Sequence, residues 1–179
     1  MAVKAVITVP NSILNKKAQK VSNITSDVKN TAKDLLDTVK LAKDPEGAGL
    51  AAPQIGISQR IIVVRNFFED PINPQEIHSD DIILINPKIT SSSSETETDW
   101  EGCLSVPDKY GLVERFKKIK VTAKDLNGSN LKIKAEGFFA RTIQHEVDHL
   151  NGILFTSKVI GNTISQKEFD EIIEKESLV

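Results

Sequence analysis

At 179 residues with a formal net charge of −2, the chain has the length of one domain and no charge excess that would draw it to DNA, RNA or a membrane surface. Its 39% hydrophobic and 27% charged residues are ordinary for a globular domain that buries a core without disulfides. The single cysteine, Cys103, cannot close an internal disulfide and suits a reducing compartment. With no targeting segment behind Met1 and no run near the roughly 20 apolar residues of a membrane span, a cytoplasmic protein that binds neither membrane nor specific DNA is expected.

The first helix is expected over Asp27–Lys43, with Ser26 as N-cap. Val28, Ala32, Leu35, Leu36 and Val39 recur at helical spacing, and Asp44-Pro45 is its stop signal. Arg60–Val64 and Ile82–Ile85 read as short β-branched strands, the second limited by Pro87, with a polar loop over residues 67–81 between them. Ser91–Ser94 reads as a polar surface loop or edge strand. Ile119–Ala123 and Leu131–Ala135 alternate apolar and polar around Asn127-Gly128, the strongest short hairpin signal. A second helix is expected over Phe138–Asn151, with Phe139, Ile143, Val147 and Leu150 buried and Gly152 ending it. A third follows Ser165, where Ser165 and Glu168 match a capping box and Ile164 and Phe169 a hydrophobic staple. The order of elements predicts a single α+β domain over residues 1–179. Antiparallel or mixed sheets would pack around the second helix, flanked by an N-terminal and a C-terminal helix.

The chemistry concentrates in that second helix. His145-Glu146-Val147-Asp148-His149 puts two imidazoles one turn apart on one face, so both can reach one metal ion. Glu146 beside them can take a proton from an attacking water. His78, the remaining histidine, falls in the polar loop and reads as a solvated surface group. A third ligand is needed, and the candidates are Cys103 or a downstream carboxylate such as Glu168 or Glu171. Cys103 is favoured: it is the only cysteine, glycine precedes it, and thiolate is the stronger soft ligand. Two histidines and one cysteine leave a tetrahedral position open, the mark of a catalytic rather than a structural site. Upstream, the small residues of Gly47–Gln54 read in isolation as a tight turn against the core; the functional alternative is close approach of a substrate backbone, with the Gln54 amide donating to an oxyanion. A zinc endopeptidase, a non-catalytic peptide-binding module and a Cys103 redox sensor are the competing readings.

Three stretches together closely resemble the peptide deformylase family: Gly47-Ala48-Gly49-Leu50-Ala51-Ala52-Pro53-Gln54, Glu101-Gly102-Cys103-Leu104-Ser105 and Gln144-His145-Glu146-Val147-Asp148-His149. The resemblance implies hydrolysis of the formyl group from the N-terminal formyl-methionine of nascent polypeptides, releasing formate. It implies Cys103, His145 and His149 as metal ligands and Glu146 as the acid–base. Gln54 and the backbone N–H of Leu104 would stabilise the oxyanion, and Gly49, Gln54 and Leu104 would contact the peptide. The implied ion is Fe2+, one per chain, with Zn2+, Ni2+ or Co2+ able to substitute. The implied state is a monomer meeting formylated nascent chains. In some members a C-terminal extension makes a transient ribosome contact, but here residues 167–176 hold two lysines against five acids, a poor surface for RNA. Tyr110 stands where many members carry a basic residue near the substrate entrance. Arg141 and Thr142 would border the methionine pocket, with Arg141 pointing away, and Glu46, Glu101 and Arg115 read either as a charged cluster behind the site or as three separate surface charges.

Overall fold

The computed structural model describes residues 2–42 and 46–176. Helix α1 runs over Ser26–Leu41. Its cap is Thr25 rather than Ser26, because Thr25 keeps extended geometry while its hydroxyl accepts the Val28 N–H at 3.4 Å. The Asp44-Pro45 stop and Lys43 lie outside the described residues. Strands β1 (Gly49–Ala51), β2 (Ile61–Glu69) and β3 (Ile77–Ser92) follow. Next come β4 (Thr96–Cys103), β5 (Val106–Phe116), β6 (Lys118–Lys124) and β7 (Asn130–Glu136), then helices α2 (Gly137–Leu150) and α3 (Gln166–Glu176). No helix of the described residues is long and apolar enough to cross a membrane.

Five strands pair antiparallel in the order β1-β2-β3-β6-β7, and β4 and β5 form a separate two-stranded sheet. The fold is α+β. The apolar run Ile61–Val64 explains how the larger sheet is covered. Successive side chains point to opposite faces. Ile61 and Val63 join Val28, Leu35 and Val39 of α1, whereas Ile62 and Val64 join Ile143, Val147 and Leu150 of α2. The sheet is therefore clasped between two helices, and α2, carrying both histidines, is buried along almost its whole length.

Two further sequence expectations are corrected. The loop expected over 67–81 is the end of a β2–β3 hairpin, in which Phe67 pairs with Ser79 and Glu69 with Ile77. Its outer part extends beyond the core, so no buried face imposes alternation on the sequence. His78 is thus a strand residue, exposed, with Nε2 3.1 Å from Asp70 Oδ2. Pro87 does not end β3. A register shift between Ile85 and Lys88, with Asn86 at φ 53°, takes the N–H-less proline out of the ladder. Ser91 and Ser92 complete β3, and the chain turns back into β4 at Thr96. The β6–β7 hairpin closes around Asn127-Gly128, with Gly128 at φ 86°. Ser165 and Glu168 cap α3 as expected, the Ser165 N–H donating to Glu168 Oε2 at 2.8 Å.

Candidate metal centre

Positions 145 and 149 lie on one face of α2, and the fold brings the end of β4 against that face. His145 Nε2 and His149 Nε2 stand 3.2 Å apart, and Cys103 Sγ is 3.3 Å from His149 Nε2. The ligand atoms of Cys103, His145 and His149 all lie within 4.8 Å of one another. Glu168 belongs instead to the α3 cap, so the carboxylate alternative is not the one the fold assembles.

The donor set fits a divalent transition metal. Glu101 Oε2 lies 2.9 Å from His145 Nδ1; an ionised carboxylate there keeps the proton on Nδ1 and turns the Nε2 lone pair toward Cys103 and His149. Three electron-pair donors converging at this range repel one another unless a cation or proton lies between them. A soft thiolate with two imidazoles suits iron or zinc.

Glu146 points into the adjoining cavity. Its Oε2 is buried without a hydrogen-bond partner among the described residues, and burial pushes its carboxyl up to about 7. Gly49 makes room for it: a Cβ there would sit 2.8 Å from Glu146 Cγ and Oε1. Gln54 is buried on a short 3-10 turn, Ala52–Ile55. Its Oε1 accepts the Ala51 N–H at 2.8 Å, which fixes the amide so that Nε2 faces Cys103 Sγ at 3.6 Å and Ser105 Oγ at 3.2 Å. Leu104 occupies the turn after Cys103, where β4 reverses into β5. Gly49, Gln54, Cys103, Leu104, His145 and Glu146 line one cavity of about 500 Å3.

Behind His145 lies a buried ionic network. Arg115 grips Glu101 with Nε to Oε1 at 2.8 Å and Nη2 to Oε2 at 2.9 Å. Its Nη1 donates to Asp148 Oδ2, which also receives Lys158 Nζ at 2.6 Å. Arg141 Nη1 donates to Glu101 Oε1 and to the Val113 carbonyl, both at 2.9 Å, and Nη2 to the Glu97 carbonyl at 2.8 Å. Burial works to raise the Glu101 pKa, but hydrogen bonds from Arg115 and His145 outweigh it and hold this carboxyl well below the usual range.

The expected Glu46–Glu101–Arg115 cluster is therefore half present. Glu46 pairs elsewhere, 2.7 Å from Arg65 Nη1. Arg141 does turn its charge away from the pocket. Asp148 and Lys158 were missed, and for Asp148 a signal existed: 141, 145 and 148 fall at i, i+4 and i+7, one face opposite the apolar stripe.

The Polypeptide deformylase family profile matches residues 3–165. The peptide deformylase of Dictyoglomus thermophilum is 43% identical over 93% of this chain and 99% of its own length. That of Desulforudis audaxviator is 43% identical over 88% of this chain and 94% of its own. The fold is similar to the Met-Ala-Ser-bound class I type b peptide deformylase of Acinetobacter baumannii, with TM-score 0.78 and 38% identity over 88% of this chain and 99% of that one. It is also similar to the Thermotoga maritima enzyme, with TM-score 0.77 and 34% identity over 90% and 100%.

Proposed function

The chain belongs to the polypeptide deformylase family, metal-dependent hydrolases that remove the N-formyl group from nascent polypeptides, and from that premise we propose how its own residues divide the work. Cys103, His145 and His149 hold the ion, which when bound supplies Lewis acidity and an activated water. Fe2+ is the ion we assign, with Zn2+, Ni2+ or Co2+ able to replace it. Glu146 takes the proton of the water that attacks the formyl carbon. Gln54 Nε2 and the Leu104 N–H donate to the formyl oxygen as it gains charge, where one such donor contributes on the order of 100-fold or more in rate. Glu146 then delivers its proton to the leaving amine, the C–N bond breaks, and formate and the free N-terminus depart. Gly49 lets the substrate backbone and the Glu146 carboxyl approach together.

The observation that carries this reading is the buried Glu146 carboxylate, whose Oε2 has no partner among the described residues, beside three converging ligand atoms. A group able to move a proton both ways needs a pKa near neutrality and no partner locking one form. The substrate we assign from the family is N-formyl-methionyl chains, of which the Met-Ala-Ser tripeptide held by the Acinetobacter relative resembles the product. Residues 1–179 would act as one domain, a cytoplasmic monomer meeting nascent chains at the ribosome without using the acidic α3 for RNA contact.

Formate release from formyl-Met-Ala-Ser by protein reconstituted with Fe2+ without oxygen tests the activity, with acetyl-Met-Ala-Ser as control. Chelator-sensitive release from the formyl peptide alone is expected. No release by protein carrying one metal ion per chain would overturn the reading, and metal analysis of anaerobically purified protein checks the choice of iron.

A further inference from the structure

The family profile ends at Ser165, and α3 begins at the next residue. None of the side chains of α3 is fully buried, yet the helix is fastened firmly at one place. Tyr110 and Ile164 exchange backbone hydrogen bonds at 3.0 and 2.9 Å. The Tyr110 hydroxyl donates to Gln166 Oε1 at 2.6 Å, and the Gln166 N–H donates to Asp108 Oδ1 at 2.9 Å. The Phe169 ring lies parallel over Tyr110, centroids 4.1 Å apart, and meets Trp100 edge-on at 5.7 Å. Tyr110 in turn packs over Gly102, where an added Cβ would come within 2.7 Å of its ring. An aromatic cluster on α3, β4 and β5 thus stands one residue from Cys103.

Phe169, Gln166, Tyr110 and Trp100 line the same cavity as Cys103 and Glu146. The formyl carbon must reach the Glu146 end, so the peptide runs from there along the remaining walls. Each extended residue covers about 3.3 Å, so the two residues after methionine run roughly 7 Å further along these walls. Gln166 is held in place at both ends of its amide, Oε1 accepting from the Tyr110 hydroxyl and Nε2 donating to Asp170 Oδ1 at 2.7 Å. Phe169 is half-buried and carries the aromatic face.

We propose that Phe169 of α3, held by the Tyr110–Gln166 clamp and flanked by Trp100, forms a subsite for the side chains following the formyl-methionine and selects apolar and aromatic ones. The proposal rests on the deformylase reading. It makes Phe169 a specificity-determining residue and Gln166 a positioning one.

The test compares kcat/KM for formyl-Met-amide, formyl-Met-Ala-Ala and formyl-Met-Phe-Phe in the Fe2+-loaded enzyme. The wild type should favour Phe-Phe over Ala-Ala. In Phe169→Ala, the Phe-Phe to amide ratio should fall roughly tenfold, the loss appearing in KM rather than kcat. Phe169→Leu, which keeps apolar volume to hold α3, should fall in the same direction, and Phe169→Trp should restore the ratio. An unmoved ratio in both Phe169→Ala and Phe169→Leu, or an equal fall in kcat for all three substrates, would overturn the subsite while leaving the activity standing. Failure of the wild type on all three substrates would overturn the activity, and the subsite with it.

Discussion

Two carboxylates flank His145, and their surroundings are opposite. Behind the ring, Glu101 receives Arg115 through two bonds, Arg141 and the imidazole itself. In front, Glu146 is as deeply buried, but its Oε2 has no partner among the described residues. The first is held well below the usual carboxylate range and the second is pushed up to about 7. A carboxylate whose lone pairs are all filled fixes geometry. One with an oxygen left without a donor is destabilised as an anion and is suited to carry a proton. The same side chain thus serves scaffold or chemistry according to how many donors the fold aims at it.

Neutralising a carboxylate that the fold has filled with donors should have the largest effect on stability. Glu101→Gln leaves Arg115 and Arg141 buried beside a neutral amide, and should cost about 3–5 kcal/mol of stability. Thermal melts of the metal-loaded protein measure this, and a drop no larger than that of a surface substitution would show that the network is not held by Glu101. Arg115→Met attacks the same pair from the other side, leaves Glu101 and Asp148 short of a donor, and should cost a similar or slightly smaller amount. Gly49→Ala sharpens the other half. The added methyl must displace the Glu146 side chain, so kcat should fall roughly 10- to 100-fold while the melting temperature moves little, since misplacing a reacting group by about 1 Å has that effect.

The smallest effect is on the surface, where Glu168 has partners but also water. The Ser165 N–H and hydroxyl lower its pKa. For a depressed carboxyl, the stabilisation is present above the unfolded value of 4.5 and is lost as the pH falls through the lower folded value. Ser165→Ala should move the Glu168 pKa, read by NMR titration, only part of the way back, because the backbone donor remains. A full return would mean that the hydroxyl, not the backbone, sets the shift.

What the sequence disclosed follows the same line between local and non-local order. The α3 capping box, the Asn-Gly hairpin and the two histidines one turn apart are fixed by spacing within a few residues, and each stands in the fold where its pattern placed it. Cys103 was favoured by chemistry, and the fold brings its thiol against α2. Arg141 and Asp148 point to partners on β4 and β5 that no spacing along α2 reveals. Glu46 stands apart from Glu101 and Arg115 because Arg65, on the strand paired with β1, takes its carboxylate. Pro87 within β3 depends on a register shift against β6, which only the paired strand defines.

In the proposed mechanism Glu146 moves the proton beside an ion that Cys103, His145 and His149 would hold. The most direct test is formate release from formyl-Met-Ala-Ser by Glu146→Gln, with metal content measured on the same sample. An unchanged metal content and a loss of turnover of roughly 10²- to 10⁴-fold are expected. Wild-type turnover by a fully metal-loaded Glu146→Gln would contradict that mechanism.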